Sequence, residues 1–249
     1  MSQPQTIFGS AQPRLPAARL GVAVVHDLVT AIVTGEVAAG ASLPTENELT
    51  QTFGVSRTVI RESVKRIEEK GLVTIVQGRG TEVLPPGSWN VLDPVVLSAL
   101  VENDDSIGVL DELAVVRGSL EGSMAAQAAI ERTDEELAEL RDALDHMDAT
   151  TDYKTFEQAD VNFHTVVMGA SRNRLAQNIT KILYTRARES SRFVGATTDH
   201  AIRETIEEHA NILRAIERGD SAAAEAAMRE HIRVAWQRRR LPTHTKRKV

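Results

Sequence analysis

Cysteine does not occur anywhere in the 249 residues. Its absence excludes disulfides and thiolate metal sites, and it fits a reducing compartment. A run of about 18 apolar residues is also missing, so no membrane-spanning helix is expected. The N-terminus lacks the basic-then-apolar pattern of a signal peptide, and a cytoplasmic protein is expected. Bulk positive charge is missing too: the net charge is −6. Residues 1–90 hold 8 basic and 8 acidic groups, and residues 91–249 hold 21 and 27. Neither part is a polycation, so any nucleic-acid contact must come from a local cluster.

What is present is ordinary for a globular chain, with 42% hydrophobic and 26% charged residues. The length suits two modest domains or one large one. Residues 1–13 are polar and read as loose. From Ala18 the pattern turns helical: Leu20, Val24, Leu28 and Ile32 recur every four residues, and Gly35 can end the helix. A loop is expected up to Pro44. Thr45 and Glu48 have the spacing of a capping box for a short helix ending near Phe53. Gly54 suits a tight turn, and Ser56 can cap a third helix that Gly71 closes. "LVTIVQGRGTEVL" then reads as two short strands around Gln77-Gly78-Arg79-Gly80. "PPGSWN" reads as a linker. Helical spacing continues over about 93–102, 107–130, 134–148, 152–170, 173–192, 200–217 and 221–237, with a second capping box at Thr133 and Glu136.

The expected architecture is therefore mainly α. A winged helix-turn-helix occupies residues 15–84, a linker 85–92, an all-α antiparallel helical bundle 93–237, and a basic, solvated tail 238–249. On the third helix Arg57, Arg61 and Lys65 are four residues apart and line one face, while Ile60, Val64 and Ile67 line the other. The cations begin at the helix N-terminus, the end that enters a major groove, where Arg can donate two bonds to guanine. Ser56 and Thr58 can reach a phosphate or a base edge. Arg79 sits between two glycines at the wing tip, where the backbone can come close to DNA. A solvated charged face is the alternative for the helix alone.

"LPTENELTQTFGVSRTVIRESVKRIEEKGLVTIVQGRGTEV" (43–83) closely resembles the winged helix-turn-helix of the GntR family of transcription regulators. The resemblance implies operator-base contacts for Arg57 and Arg61, and wing contacts for Gln77, Gly78 and Arg79. The sequence departs at Asn47, where many members carry an arginine, so no contact is carried over there.

Beyond the linker, "DVNFH" turns polar groups toward a core. Phe156, Asp160, Phe163 and Val167 form one helical stripe, and His164 lies four residues after Asp160. His209 falls within the stripe Ile202, Ile206, Leu213, Ile216, and His231 within Ala224, Met228, Ala235. A buried carboxylate needs a partner. One Asp with three neutral imidazoles suits zinc first, with nickel, cobalt or manganese also in range. Internal pairing of the four groups is the alternative. "FEQADVNFHTVVMGASRNRLAQNI" and "EEHANILRAIERGDSAAAEAAMREHI" resemble the all-helical FCD effector domain of the FadR subgroup of that family. The resemblance implies a divalent-metal site at Asp160, His164, His209 and His231.

Arg117 shares an inward stripe with Leu110, Leu113, Leu120 and Met124. A cation there needs an anion, either an internal Glu or a ligand, unless it snorkels out. The resemblance implies contact with an effector carboxylate. Asn211 is taken as a second effector contact. Arg186, Arg188 and His200 have no pattern that chooses among them, and His26, His146 and His244 read as surface.

The expected function is a ligand-responsive DNA-binding regulator, most simply a repressor and not an enzyme. It would be a homodimer on operator DNA, responding to a small carboxylate such as a sugar acid or hydroxy acid. "WNVLDPVVL" resembles the same stretch in sugar-acid-responsive members. A constitutive DNA binder with a purely structural metal, or a metal-dependent hydrolase with a DNA-binding head, are the competing readings.

Overall fold

A computed structural model of the chain describes residues 17–104, 108–150, 152–189 and 198–239. It divides into two compact units, Met1–Ala99 and Leu100–Val249. In the first, α1 (Ala17–Val33), α2 (Glu46–Phe53) and α3 (Arg57–Glu69) precede the hairpin β1 (Val73–Val76) and β2 (Gly80–Val83). These are the only strands among the described residues. α1 and α3 pack through Val24, Val25, Leu28, Val29 and Ile32 on one side and Ile60, Val64 and Ile67 on the other, all buried. The period of about 3.6 puts each set on a single face, so burial follows from spacing.

Local signals set the helix ends. Thr45 and Glu48 form a reciprocal capping box, with Thr45 N donating to Glu48 Oε2 at 2.7 Å. Gly54 ends α2 in the left-handed region at φ 62°. Ser56 Oγ accepts from Val59 N and opens α3. Gly71, at φ 74°, turns the chain from α3 into β1. A Cβ there would sit 2.2 Å from the carbonyl oxygen of Ser88, so both the angle and the space require glycine.

Two segments differ from expectation. The stretch before Pro44 is not a free loop. Leu43 N donates to Thr81 O at 2.8 Å and Val83 N to Ala41 O at 2.9 Å, so residues 41–43 line up along β2. Their short, mixed composition carries no strand alternation. The supposed linker is tied to the first unit. Trp89 Nε1 donates to Leu84 O, Asn90 N to Lys70 O, and Lys70 Nζ meets Asp93 Oδ2 at 2.5 Å. Asp93 Oδ1 in turn accepts from Val95 N and Val96 N, which opens α4 (Pro94–Asn103).

The second unit holds α5 (Gly108–Glu131), α6 (Asp134–Ala149), α7 (Tyr153–Ala170), α8 (Arg174–Glu189), α9 (Asp199–Glu217) and α10 (Ser221–Arg239). α5 packs against α7, α8, α9 and α10. Small residues allow this. Gly122, Ala125, Ala128 and Ala129 are buried along α5, and a Cβ on Gly122 would lie only 3.2 Å from Glu225 O of α10. The core combines Leu140, Met147, Phe156, Phe163, Val167, Ile212, Ile216 and Met228. Thr133 and Glu136 form the second capping box, at the start of α6. Arg238 belongs to α10 rather than to a solvated tail, because acidic and hydroxyl partners on α9 hold its side chain. The rest of the basic stretch, 240–249, lies outside the described residues.

Candidate functional site: a buried histidine cluster and a basic helix face

The N-cap Asp152 and the packing of Phe156, Phe163 and Val167 fix the rotation of α7. One turn apart on its inner face stand Asp160 and His164, 4% and 6% exposed. α9 brings in His209 and α10 brings in His231, also buried. One ligand atom from each of the four lies within 4.8 Å of all the others. Phe163 stands edge-on to His209, with ring centroids 4.6 Å apart, and closes the inner side.

Each imidazole presents its Nδ1 to an oxygen. His209 Nδ1 donates to Thr205 O at 2.7 Å and His231 Nδ1 to Glu208 Oε2 at 2.8 Å. His164 Nδ1 lies 2.7 Å from Glu121 Oε2, although its N–H is poorly aligned on that oxygen. Such partners fix the tautomers of His209 and His231 and leave their Nε2 atoms as lone-pair donors. The three Nε2 atoms then converge: His164 and His231 at 3.2 Å, and His209 at 3.4 Å from Asp160 Oδ1. His209 Nε2 is buried without a hydrogen-bond partner.

Burial holds the His209 ring at about 4, against the attraction of Asp160. Burial, then repulsion from His209 and His164, pushes His231 well below its usual value. At neutral pH both rings are uncharged, as ligation requires. Lone pairs directed at one another beside a carboxylate repel unless a cation lies among them. An orphaned ring nitrogen and a three-nitrogen, one-oxygen donor set therefore fit a divalent ion.

Beside the cluster is a cavity of about 700 Å³ lined by Arg117, His164, Thr165, Gln177, Lys181 and Arg188, among others. Arg117 lies between the cavity and a buried carboxylate. It faces the cavity, and its Nε donates to Glu121 Oε1 at 2.9 Å. Its guanidinium also stacks 4.4 Å from the centre of the Tyr184 ring. Glu121 is 1% exposed and bridges Arg117 to His164. Burial opposes its charge, but Arg117 and His164 outweigh that and hold its carboxyl at about 2.

Asn211 is a correction. Two residues beyond His209, it is rotated about 200° around α9, stands exposed, and accepts from Arg214 instead of facing the cavity. Of the three unranked candidates, Arg188 lines the cavity and pairs with Glu157. His200 is exposed beside Glu204. His26 and His146 are exposed, and His244 lies outside the described residues.

Sequence reasoning missed Glu121, Glu208, Tyr184 and Arg238. The Arg117-x-x-x-Glu121 spacing was a usable signal for the first. Glu208 was masked by its neighbours in a run of acidic residues, since only the fold shows which one reaches His231.

In the first unit, Ser56, Arg57, Thr58, Arg61 and Lys65 are all exposed around α3. Arg61 has a loose surface contact with Glu46 at 3.7 Å, an interaction worth little. Gln77, Gly78 and Arg79 form the exposed hairpin tip between paired Val76 and Gly80. Glycines at φ 78° and 94° flank Arg79.

Residues 20–83 match the family described as bacterial regulatory proteins, gntR family, and residues 112–234 match the FCD domain. The galactonate operon transcriptional repressor of Escherichia coli is 31% identical over 205 residues, covering 82% of this chain and 90% of that protein. The transcriptional regulator LutR of Bacillus subtilis is 31% identical, covering 81% and 92%. The Uxu operon transcriptional regulator of E. coli is 30% identical, covering 87% and 84%. Among solved structures, that of Lar, described as controlling the Listeria monocytogenes agr system, aligns with a TM-score of 0.53 at 16% identity. It covers 92% of this chain and 98% of that one, and speaks for the fold alone.

Proposed function

Since the chain belongs to the GntR family of bacterial transcription regulators and carries an FCD domain, we propose that it is a repressor controlled by a small carboxylate. In this reading residues 15–84 bind operator DNA and the helical bundle senses the ligand. Two copies form a homodimer that presents two copies of α3 to the half-sites of a near-palindrome. Arg57 and Arg61 read base edges, while Ser56, Thr58, Lys65, Gln77, Gly78 and Arg79 hold the backbone or minor groove.

The observation that carries the sensing half is the convergence of three Nε2 atoms and Asp160 beside a cavity that also holds Arg117. Asp160, His164, His209 and His231 would hold the ion, zinc in the first instance. When bound, it supplies a Lewis-acidic point for a ligand oxygen. Arg117 binds the carboxylate end, and Tyr184 and Glu121 keep its guanidinium oriented. Thr165 and Gln177 offer neutral hydrogen-bonding groups to hydroxyls. That chemistry suits a sugar acid or hydroxy acid, and the names of the galactonate and Uxu operon relatives point the same way.

The ligand acts on DNA only through its unequal affinity for two states of the protein. A coupling of about 1–3 kcal/mol gives roughly 5–150-fold release. The test combines metal analysis of dialysed, untagged protein with operator binding across a set of sugar acids and hydroxy acids. Metal near stoichiometry, with operator affinity lowered by an acid only in the metal-loaded form, is expected. Operator affinity indifferent to every acid, with stability lost on chelation, would replace this reading by a structural metal in a constitutive binder.

A further inference from the structure

Arg238 turns back from the end of α10 onto α9. Its guanidinium meets the Glu208 carboxylate with two prongs, Nη1 to Oε1 at 2.6 Å and Nη2 to Oε2 at 2.8 Å. Nη2 also donates to Thr205 Oγ1 at 3.1 Å, and Glu204 Oε2 lies 3.8 Å from Nη1. Glu204, Thr205 and Glu208 are successive positions on one face of α9. His231 and Arg238, seven residues apart, share one face of α10 in the same way.

One of these partners holds an imidazole: Glu208 Oε2 accepts from the Nδ1–H of His231. His209 Nδ1 donates instead to the main-chain carbonyl of Thr205, whose hydroxyl is the atom that meets Arg238. Glu208 is one-fifth exposed, so without Arg238 water would compete for its carboxylate. A single guanidinium thus fixes the carboxylate that orients the His231 ring. A fork of this kind sets the plane of a carboxylate as well as its position, which an ammonium cannot do.

We propose that Arg238 is a positioning residue of the metal centre, aiming the Nε2 atom of His231 by clamping Glu208. This rests on the metal reading above. Arg238 need not touch the ion. Through Glu208 it sets both the direction of the His231 ring and the basicity of its free nitrogen.

The test uses the full chain and Zn(II) alone, with affinity read by competition against a chromophoric chelator. Co(II) absorption serves as the signature of ring geometry. Arg238→Gln is expected to weaken Zn(II) binding by about 10–100-fold and to alter the Co(II) band. Arg238→Lys, which keeps the charge but not the fork, should fall between it and wild type. The decisive comparison is with Glu208→Gln: if Arg238 acts through Glu208, the double variant binds Zn(II) no more weakly than Glu208→Gln alone. Multiplying losses in the double variant would overturn the proposal, as would an Arg238→Gln protein that binds Zn(II) like wild type. Should Arg238→Gln fail to fold, wild-type affinity and an unchanged Co(II) band in Arg238→Lys would overturn it equally. A wild-type chain that binds neither Zn(II) nor Co(II) would instead remove the metal reading, and this inference with it.

Discussion

Glu121→Gln tests the electrostatic logic of the bundle most directly. The substitution keeps the shape and removes one charge that is 1% exposed, set between Arg117 at 2.9 Å and His164 at 2.7 Å. A carboxyl whose ordinary value is 4.5, held at about 2 when folded, contributes roughly 3 kcal/mol of stability at neutral pH. That matches the loss of about 3–5 kcal/mol expected when one partner of a buried pair is removed, and far exceeds that of a surface pair. The sign follows from the depressed folded value. The contribution is complete above pH 4.5 and fades as pH falls toward 2. Urea unfolding of metal-stripped wild type and variant, followed at the transition of the second unit, should give a gap of about 3 kcal/mol at pH 7. At pH 3.5 the gap should shrink by about 1 kcal/mol. Comparing the two proteins cancels the contribution of His209, which is lost separately as pH falls from 6.5 toward about 4. A gap under about 0.5 kcal/mol at pH 7, or one that ignores pH, refutes the account of Glu121 as an ionised bridge.

Three further variants separate the parts of the molecule. Arg57→Ala should weaken operator binding by about 1–3 kcal/mol and blur base preference, and a quantitative gel shift with unchanged affinity would remove α3 as the reading helix. Asp160→Asn with His209→Ala should abolish metal binding while the chain stays folded, and stoichiometric metal in that protein by elemental analysis would refute the assigned ligand set. Gly71→Ala should cost the first unit more than about 2 kcal/mol, combining the left-handed backbone with a clash at Ser88 O. Thermal unfolding indistinguishable from wild type would show that the turn can relax.

The sequence was most legible where one local rule decides the outcome. Both capping boxes, the αL glycine after α2, and the inward faces of α1 and α3 depend on spacing within a few residues, and they appear as read. The four polar groups of the cluster were legible because each interrupts an apolar stripe on its own helix. Partners across helices were not. Glu208 is one of three acidic residues within five positions, and only the packing of α9 on α10 selects it for His231. Arg238 read as tail because its partners lie on another helix about 30 residues away. Asn211 had no pattern behind it: two residues from His209 on α9, it points to nearly the opposite side of the helix and stands exposed. The strand-like pairing of residues 41–43 with β2 left no mark, since the backbone makes it and the side chains do not.

Arg117 shows why the cavity and the cluster are better treated as one device. A guanidinium has five donors, and only the Nε–H is given to Glu121. The stack on Tyr184 holds the plane of the group and still leaves its outer edge toward the cavity. A carboxylate ligand would therefore meet an arginine already oriented, with less side-chain freedom left to lose on binding. Preorganisation has an opposing side, because Glu121 already neutralises part of that positive charge. Glu121 also faces His164, so a cation in the cluster draws the same carboxylate toward the opposite end. Filling the cluster should thus leave Arg117 more electropositive toward the cavity without moving it. Part of the coupling between ion and carboxylate then runs through one buried side chain, beside the contact of a ligand oxygen with the ion itself. Glu121→Gln should remove that part, so that carboxylate affinity depends less on whether the ion is present than it does in wild type. Isothermal titration of a carboxylate into metal-loaded and metal-free variant would show it, and a dependence as large as that of wild type would mean that the ligand senses the ion directly and not through Glu121.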